Sequence, residues 1–285
     1  MREDGKKNNL EIERHLGNWM RAKLPHRLSE FIMFGLKQAW ACLFGAILLI
    51  AIILSAIFWQ DDWALSRYDA LFIFALAMQI FLLVSKLESK NEAKVIFLFH
   101  ITGTVMEVFK LHMGSWDYPD QGFFEIAGVP LFSGFMYASV GSYIARVIRV
   151  FDMKFAPYPP FWMSVVLASA IYGNFFWHHF WVDIRIALFV ATVVIFARTK
   201  IWFYIGPRAY WMPMPLAAFF AAFFLWLAEN IGTVTGTWIY AGQSQFELVR
   251  LGKLGSWYLL LYISFLLVTL VYRQVLLPST YTPKR

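Results

Sequence analysis

Charge is what this sequence has least of: 15% of its 285 residues are Asp, Glu, Lys or Arg, while 60% are hydrophobic. A soluble domain carries about a quarter charged residues and about half apolar ones, so much of this apolar surface must face something other than water. A single cysteine, Cys42, excludes an intramolecular disulfide and any multi-cysteine metal site. There is no phosphate-cradling Gly loop, no Ser-His-Asp order, no Cys-x-x-Cys and no repeated His-rich box. The N-terminus opens charged and polar, without an apolar core and small-residue cleavage site, which predicts no removable signal peptide. What is abundant is aromatic: 29 Phe, 13 Trp and 13 Tyr, and Trp and Tyr concentrate at bilayer interfaces.

The apolar residues come in long runs. A helix needs about 20 mostly apolar residues to cross the hydrocarbon, and such runs predict eight spans. These are Ala39–Trp59, Ala70–Val84, Val95–Phe109, Val129–Ala145, Phe161–Phe180, Ile184–Ala197, Met212–Ala228 and Trp257–Tyr272. With the N-terminus inside, Lys plus Arg count 20 on the inner segments against 5 on the outer ones, the latter being Arg67, Lys110, Arg185, Arg250 and Lys253. The positive-inside rule then predicts a multi-pass protein of the cytoplasmic membrane with both termini cytoplasmic. The net charge of +7 is on this reading a topology signal, and no nucleic-acid partner is expected. Leu10, Leu16, Trp19, Met20 and Leu24 fall on one helical face, with Arg14, Arg21 and Lys23 elsewhere. That pattern suits either an amphipathic surface helix or a plain basic flank.

Self-similarity appears at an offset of 122 residues. Glu107, Gly114, Trp116, Tyr118, Gln121, Phe124 and Glu125 match Glu229, Gly236, Trp238, Tyr240, Gln243, Phe246 and Glu247, seven identities in nineteen ungapped positions. Phe58, Trp59 and Asp61 match Phe180, Trp181 and Asp183 at the same offset. The expected fold is therefore an all-α polytopic membrane bundle made by tandem duplication of a four-helix unit. Its divisions are a basic N-terminal segment (1–30), a first repeat (31–150), a second repeat (151–275) and a cytoplasmic tail (276–285).

Each repeat carries one carboxylate at the end of an apolar run, Glu107 or Glu229. A charge in hydrocarbon costs several kcal/mol, so both should face the bundle interior. Two readings are open for them: either they cap loop backbone amides, or with Asp61 and Asp183 they line an outward-facing pocket suited to proton transfer. Trp116, Tyr118, Trp238 and Tyr240 fit either that pocket or a simple interfacial belt. Asn230 and His178 are further candidates for substrate contact. His100, Thr104 and Glu107 share one helical face, as a polar line or as a seam between helices. His112, His178, His179, Glu107, Glu229 and Asp183 have the chemistry of metal ligands. Neighbouring His178 and His179, however, diverge by about 100° on a helix, and neither a metal nor a cofactor is expected.

Gly-Thr-Val-Met-Glu (Gly103 to Glu107), Gly-Ser-Trp-Asp-Tyr-Pro (Gly114 to Pro119), Gly-Val-Pro-Leu-Phe-Ser-Gly-Phe-Met-Tyr (Gly128 to Tyr137) and Trp-Leu-Ala-Glu-Asn-Ile-Gly-Thr (Trp226 to Thr233) together resemble the bacterial integral membrane family of unknown function numbered 817, the YoaT-like proteins. The resemblance runs from about Phe31 to Tyr272 and implies a bacterial cytoplasmic-membrane protein. A glutamate near a helix end, then Gly-x-Trp-x-Tyr and a Gly-Val-Pro turn, is also similar to membrane carotenoid cyclases and hydratases. Leu131 and Phe132 stand where the cyclases carry paired glutamates. The expected function is an acid–base enzyme or binder acting on a lipid or isoprenoid at the outer side of the membrane. Its partners would be membrane lipids and an apolar small molecule. A small-solute transporter and a non-catalytic membrane structural protein are the alternatives.

Overall fold

A computed structural model describes residues 17–20, 22–60, 62–242, 244 and 247–283. Asp61, and Leu10, Arg14, Leu16 and Arg21 of the amphipathic pattern, lie outside the described residues; Met20 is buried and Trp19 exposed. The chain is predominantly helical: α1 (His26–Ala41), α2 (Leu43–Phe58), α3 (Arg67–Val84), α4 (Lys90–His112), α5 (Phe132–Val150), α6 (Phe161–Trp177), α7 (Arg185–Phe196), α8 (Met214–Val234) and α9 (Leu251–Val271). Each of the eight apolar runs falls on helix, the first continuing from α1 into α2 across a 68° bend at Cys42. Four helices, α3, α4, α8 and α9, are long and apolar enough to cross a membrane, and the bent pair would make a fifth. Helices α6 and α7 are apolar but shorter, at 17 and 12 residues. Helix α5 has 19 residues, but it is the buried centre of the bundle and holds Ser133, Ser142 and Arg146 inside. A helix surrounded by other helices needs no lipid-facing apolar coat, so its hydropathy falls below that of its neighbours.

Contacts at the two ends show successive helices alternating in direction. At one end Arg67 of α3 reaches the backbone of Thr235 beyond α8, 3.2 Å away. At the other, Arg146 of α5 pairs with Glu88 before α4 at 3.2 Å, and Arg149 with Glu92 at 2.9 Å. Helix α4 starts in a capping box, Ser89 and Glu92 each bonding the other's backbone N–H. Small residues let α4 and α5 approach closely: a Cβ on Gly134 would fall 2.4 Å from His100 Nδ1, and one on Gly103 2.7 Å from Tyr137. The main core draws on both predicted halves, joining Val95, Phe99 and Ala138 to Ile171, Ala222 and Tyr262.

The bundle is not all-α. A three-stranded antiparallel sheet, β4 (Lys154–Ala156), β5 (Lys200–Ile205) and β6 (Arg208–Pro213), closes the end where Arg146 and Arg149 lie. Its pattern is period two: Ile201, Phe203 and Ile205 are buried, while Lys200, Trp202 and Tyr204 between them are less so. Gly206 and Pro207 turn the hairpin, Gly206 at φ 58°. The run expected to begin a helix at Met212 therefore starts in β6, and α8 opens two residues later with Pro215 in its first turn. Two further two-stranded ribbons pair β1 (Trp116–Asp117) with β7 (Ile239–Tyr240) and β2 (Glu125–Ile126) with β3 (Val129–Pro130).

Candidate functional site

Glu107 and Glu229 sit in the last two turns of α4 and α8. Both helices end alike. Ser115 N–H bonds Lys110 C=O and Gly114 N–H bonds Leu111 C=O, while Thr237 N–H bonds Gly232 C=O and Gly236 N–H bonds Thr233 C=O. These are matching Schellman ends, with glycine at φ 62° in one and 64° in the other, a region costly for any residue with a Cβ. The turn sends each chain back across its own helix end. There the two returning segments pair antiparallel, Trp116 opposite Tyr240 and Asp117 opposite Ile239.

That pairing folds aromatic donors over both carboxylates. Glu107 is almost fully buried. Its Oε2 accepts from Trp116 Nε1 at 2.8 Å and Tyr118 Oη at 2.7 Å, and its Oε1 from Tyr137 Oη of α5 at 2.6 Å. Glu229 Oε1 accepts from Tyr240 Oη and its Oε2 from Trp257 Nε1 of α9. Lys253 lies just beyond, its ammonium 3.7 Å from the Tyr240 ring centroid. Burial, and then the neighbouring glutamate, push the Tyr118 and Tyr240 phenols well above their ordinary range, so both remain donors at neutral pH.

The glutamate layer closes one end of an apolar cavity of about 870 Å³. Its walls are α1–α2, α5 and α8, and its far end reaches Met153, Ile201, Phe203 and Met212 beside the sheet. Small residues make the room: Gly35, Ala39, Gly45 and Ala46 on one side, Ala217, Ala221 and Ala228 on the other. Phe31 and Phe224 line it yet are 74% and 67% exposed, so the cavity opens sideways between α1–α2 and α8. Sites for small apolar molecules run about 300–1,000 Å³, with apolar walls and a few convergent polar groups.

Of the predicted site residues, Glu107, Glu229, Trp116, Tyr118, Trp238 and Tyr240 line this cavity. The others do not. Asn230 is structural: its Oδ1 accepts from Val249 N–H at 2.9 Å and its Nδ2 donates to Trp226 C=O at 2.7 Å. Asp183 pairs with Arg185 at 3.2 Å and accepts from Asn174 at 3.0 Å. Although partial burial alone would raise its carboxyl, the bonds from Asn174 and the Arg185 N–H outweigh that and hold it below the usual range. His178 Nδ1 lies 2.8 Å from Asn174 C=O and His179 Nε2 lies 2.7 Å from Lys110 Nζ. The His100–Thr104–Glu107 line does not form: the His100 ring packs at a tilt against Phe135, centroids 4.9 Å apart, and Thr104 bonds back to His100 C=O at 2.7 Å. Among the described residues, no three His, Cys, Asp or Glu side chains converge as a metal site.

Tyr137 and Trp257 are contacts that the sequence reading missed. Each comes from the fourth span of its predicted half, where the 122-residue offset shows no identity: it pairs Tyr137 with Leu259 and Trp257 with Phe135. The last residue of the Gly-Phe-Met-Tyr run was the available signal for Tyr137.

Membrane-length apolar helices around an apolar cavity, closed at one end by carboxylates held in aromatic donors, define the class of protein this chain is. Within that class it belongs to the family described as "Protein of unknown function (DUF817)", which matches residues 30–265. It is 43% identical over 242 residues to "Uncharacterized protein YoaT" of Bacillus subtilis (strain 168), covering 85% of this chain and 91% of that protein. A chain from the crystal structure of a cross-linked MvINS trimer aligns with a TM-score of 0.48 at 11% identity, covering 65% of this chain and 95% of that one.

Proposed function

We propose that the protein is an eight-span protein of the bacterial cytoplasmic membrane that binds a lipid or isoprenoid in the cavity between α1–α2, α5 and α8. Glu107 and Glu229 act on it as an acid–base pair at the outer side. The observation that carries this reading is the cavity itself: about 870 Å³, apolar along its length, with two carboxylates at one end. The matched Schellman ends and the Trp116–Tyr240 pairing support two copies of a four-helix unit. The basic residues of the sheet end, Arg146, Arg149, Lys154, Lys200 and Arg208, support a cytoplasmic position for it and for both termini. Passage of a polar solute is disfavoured, because the cavity walls offer few polar groups between its two ends.

Mass spectrometry of lipids extracted with the purified protein tests this. An apolar-chain molecule is expected to co-purify and to be lost when Ala221→Trp fills the cavity. Cells making the Glu107→Gln or Glu229→Gln protein should accumulate that molecule unconverted. A protein that emerges with no bound lipid and an end-to-end hydrated path would overturn the proposal.

A further inference from the structure

The hydrogen-bond geometry of the two glutamates restricts what the head of such a ligand can be. An ionised carboxylate offers about four lone-pair directions. On Glu107, Oε2 is filled by Trp116 and Tyr118, and Oε1 takes only Tyr137. On Glu229, Oε1 takes only Tyr240 and Oε2 only Trp257. Indole N–H groups can only donate, so the oxygens facing Trp116 and Trp257 are acceptors. One acceptor direction is left on Glu107 and one on each oxygen of Glu229, at the end of a cavity that both residues line.

The rest of the lining offers nothing comparable. Among the described residues, no Lys or Arg lines the cavity. Tyr143 donates to Gln38 at 3.2 Å, and Ser139 turns back to Met136 C=O at 2.6 Å. Lys253 lies against the Tyr240 and Trp116 rings at 3.7 and 5.5 Å, and Lys110 is engaged with His179 and the Phe175 ring. Among the described residues, a phosphate brought into the cavity would meet two carboxylates before any cation. We infer that the ligand is a long-chain lipid alcohol: its hydroxyl donates to the free acceptor directions of Glu107 and Glu229, and its chain lies along α8 toward Ala217. From Glu229 to Ala217 is twelve residues, about 18 Å at 1.5 Å per residue, which sets the chain length the cavity holds. This inference rests on the cavity being a lipid site.

The test uses the unmodified full chain in detergent and three probes with one chain: farnesol, farnesyl methyl ether and farnesyl phosphate. Binding is read by native mass spectrometry, and by the fluorescence of the tryptophans at the glutamate layer. The ether keeps the chain and loses the donor. It should bind up to about ten-fold more weakly than the alcohol, the effect of losing one hydrogen bond. The phosphate should bind no better than the ether. Equal affinity for alcohol and ether would overturn the headgroup assignment while leaving the lipid cavity standing. Tightest binding of the phosphate would overturn it too, in favour of the cations Lys110, Lys253 and Arg185. Binding of none of the three would remove the lipid reading itself.

Discussion

Gly232 is the position where the site's geometry makes its sharpest demand. It lies in the last turn of α8, under the indole of Trp238. A Cβ there would fall 1.9, 2.3 and 2.4 Å from three atoms of that ring. Carbon atoms settle at about 3.5–4.0 Å, so Gly232→Ala must displace Trp238 by more than an ångström. Trp238 directly precedes the Ile239–Tyr240 strand that covers Glu229, so the ring cannot swing away without disturbing the Trp116–Tyr240 pairing. Overpacking of this kind costs about 1–3 kcal/mol. In a Trp238→Ala background the obstacle is gone, and helix propensity alone then favours alanine over glycine by about 1 kcal/mol. The effect of the same substitution should therefore change sign. Thermal unfolding in detergent, followed by intrinsic fluorescence, reads it at about 2–4 °C per kcal/mol. Gly173→Ala in α6, where an added Cβ meets nothing within 4 Å, is the control and should not destabilise. A Gly232→Ala loss of the same size in both backgrounds would refute the reasoning, since the clash would then not be with Trp238.

Two further outcomes are expected. Arg146 is completely buried and pairs with Glu88 at 3.2 Å, so Arg146→Met strands a buried carboxylate; it should cost about 3–5 kcal/mol and lower the unfolding temperature accordingly, and adding Glu88→Leu should recover most of the loss. Cys42 lines the cavity at the α1–α2 bend, so a bilayer-soluble maleimide should label it and farnesol should slow that labelling several-fold; unchanged labelling at saturating farnesol would show that the probe binds elsewhere.

The helices were legible because long apolar runs have few other solutions, and every one of the eight runs contains a helix, although those from Val129 and Met212 open in strand. The β5–β6 hairpin was legible in principle. Lys200 to Ile205 alternates and is followed by Gly206-Pro207, but the run lies between two apolar helices and reads as a connection when the search is for length alone. The glutamate pair was found through the repeat, which pointed to Glu107, Trp116 and Tyr118 together with their partners 122 residues on. The same reasoning could not separate Asn230 and Asp183, which serve the backbone and Arg185, from residues that face the cavity. Both sit one turn or less from true lining positions or share the same polar chemistry, and only side-chain direction distinguishes them. Tyr137 and Trp257 were hidden for the opposite reason. They do the same job, Tyr137 from α5 and Trp257 from α9, but at positions two residues out of register with the 122-residue offset and with different side chains, so no identity marks them.

The two small β structures at opposite ends of the cavity fix how the molecule can move. At the glutamate end the segments after α4 and α8 are laced together by the Trp116–Tyr240 ladder. At the sheet end α1 is laced down by Lys37, which donates to the backbone carbonyls of Val150 and Tyr204 at 3.1 and 3.3 Å. A container sewn shut at both ends can loosen only along its seam. Here the seam runs between α1–α2 and α8, where Phe31 and Phe224 already stand exposed. On the lipid reading proposed above, traffic would pass through the flank and stay off the long axis, where a solute would have to cut both stitches.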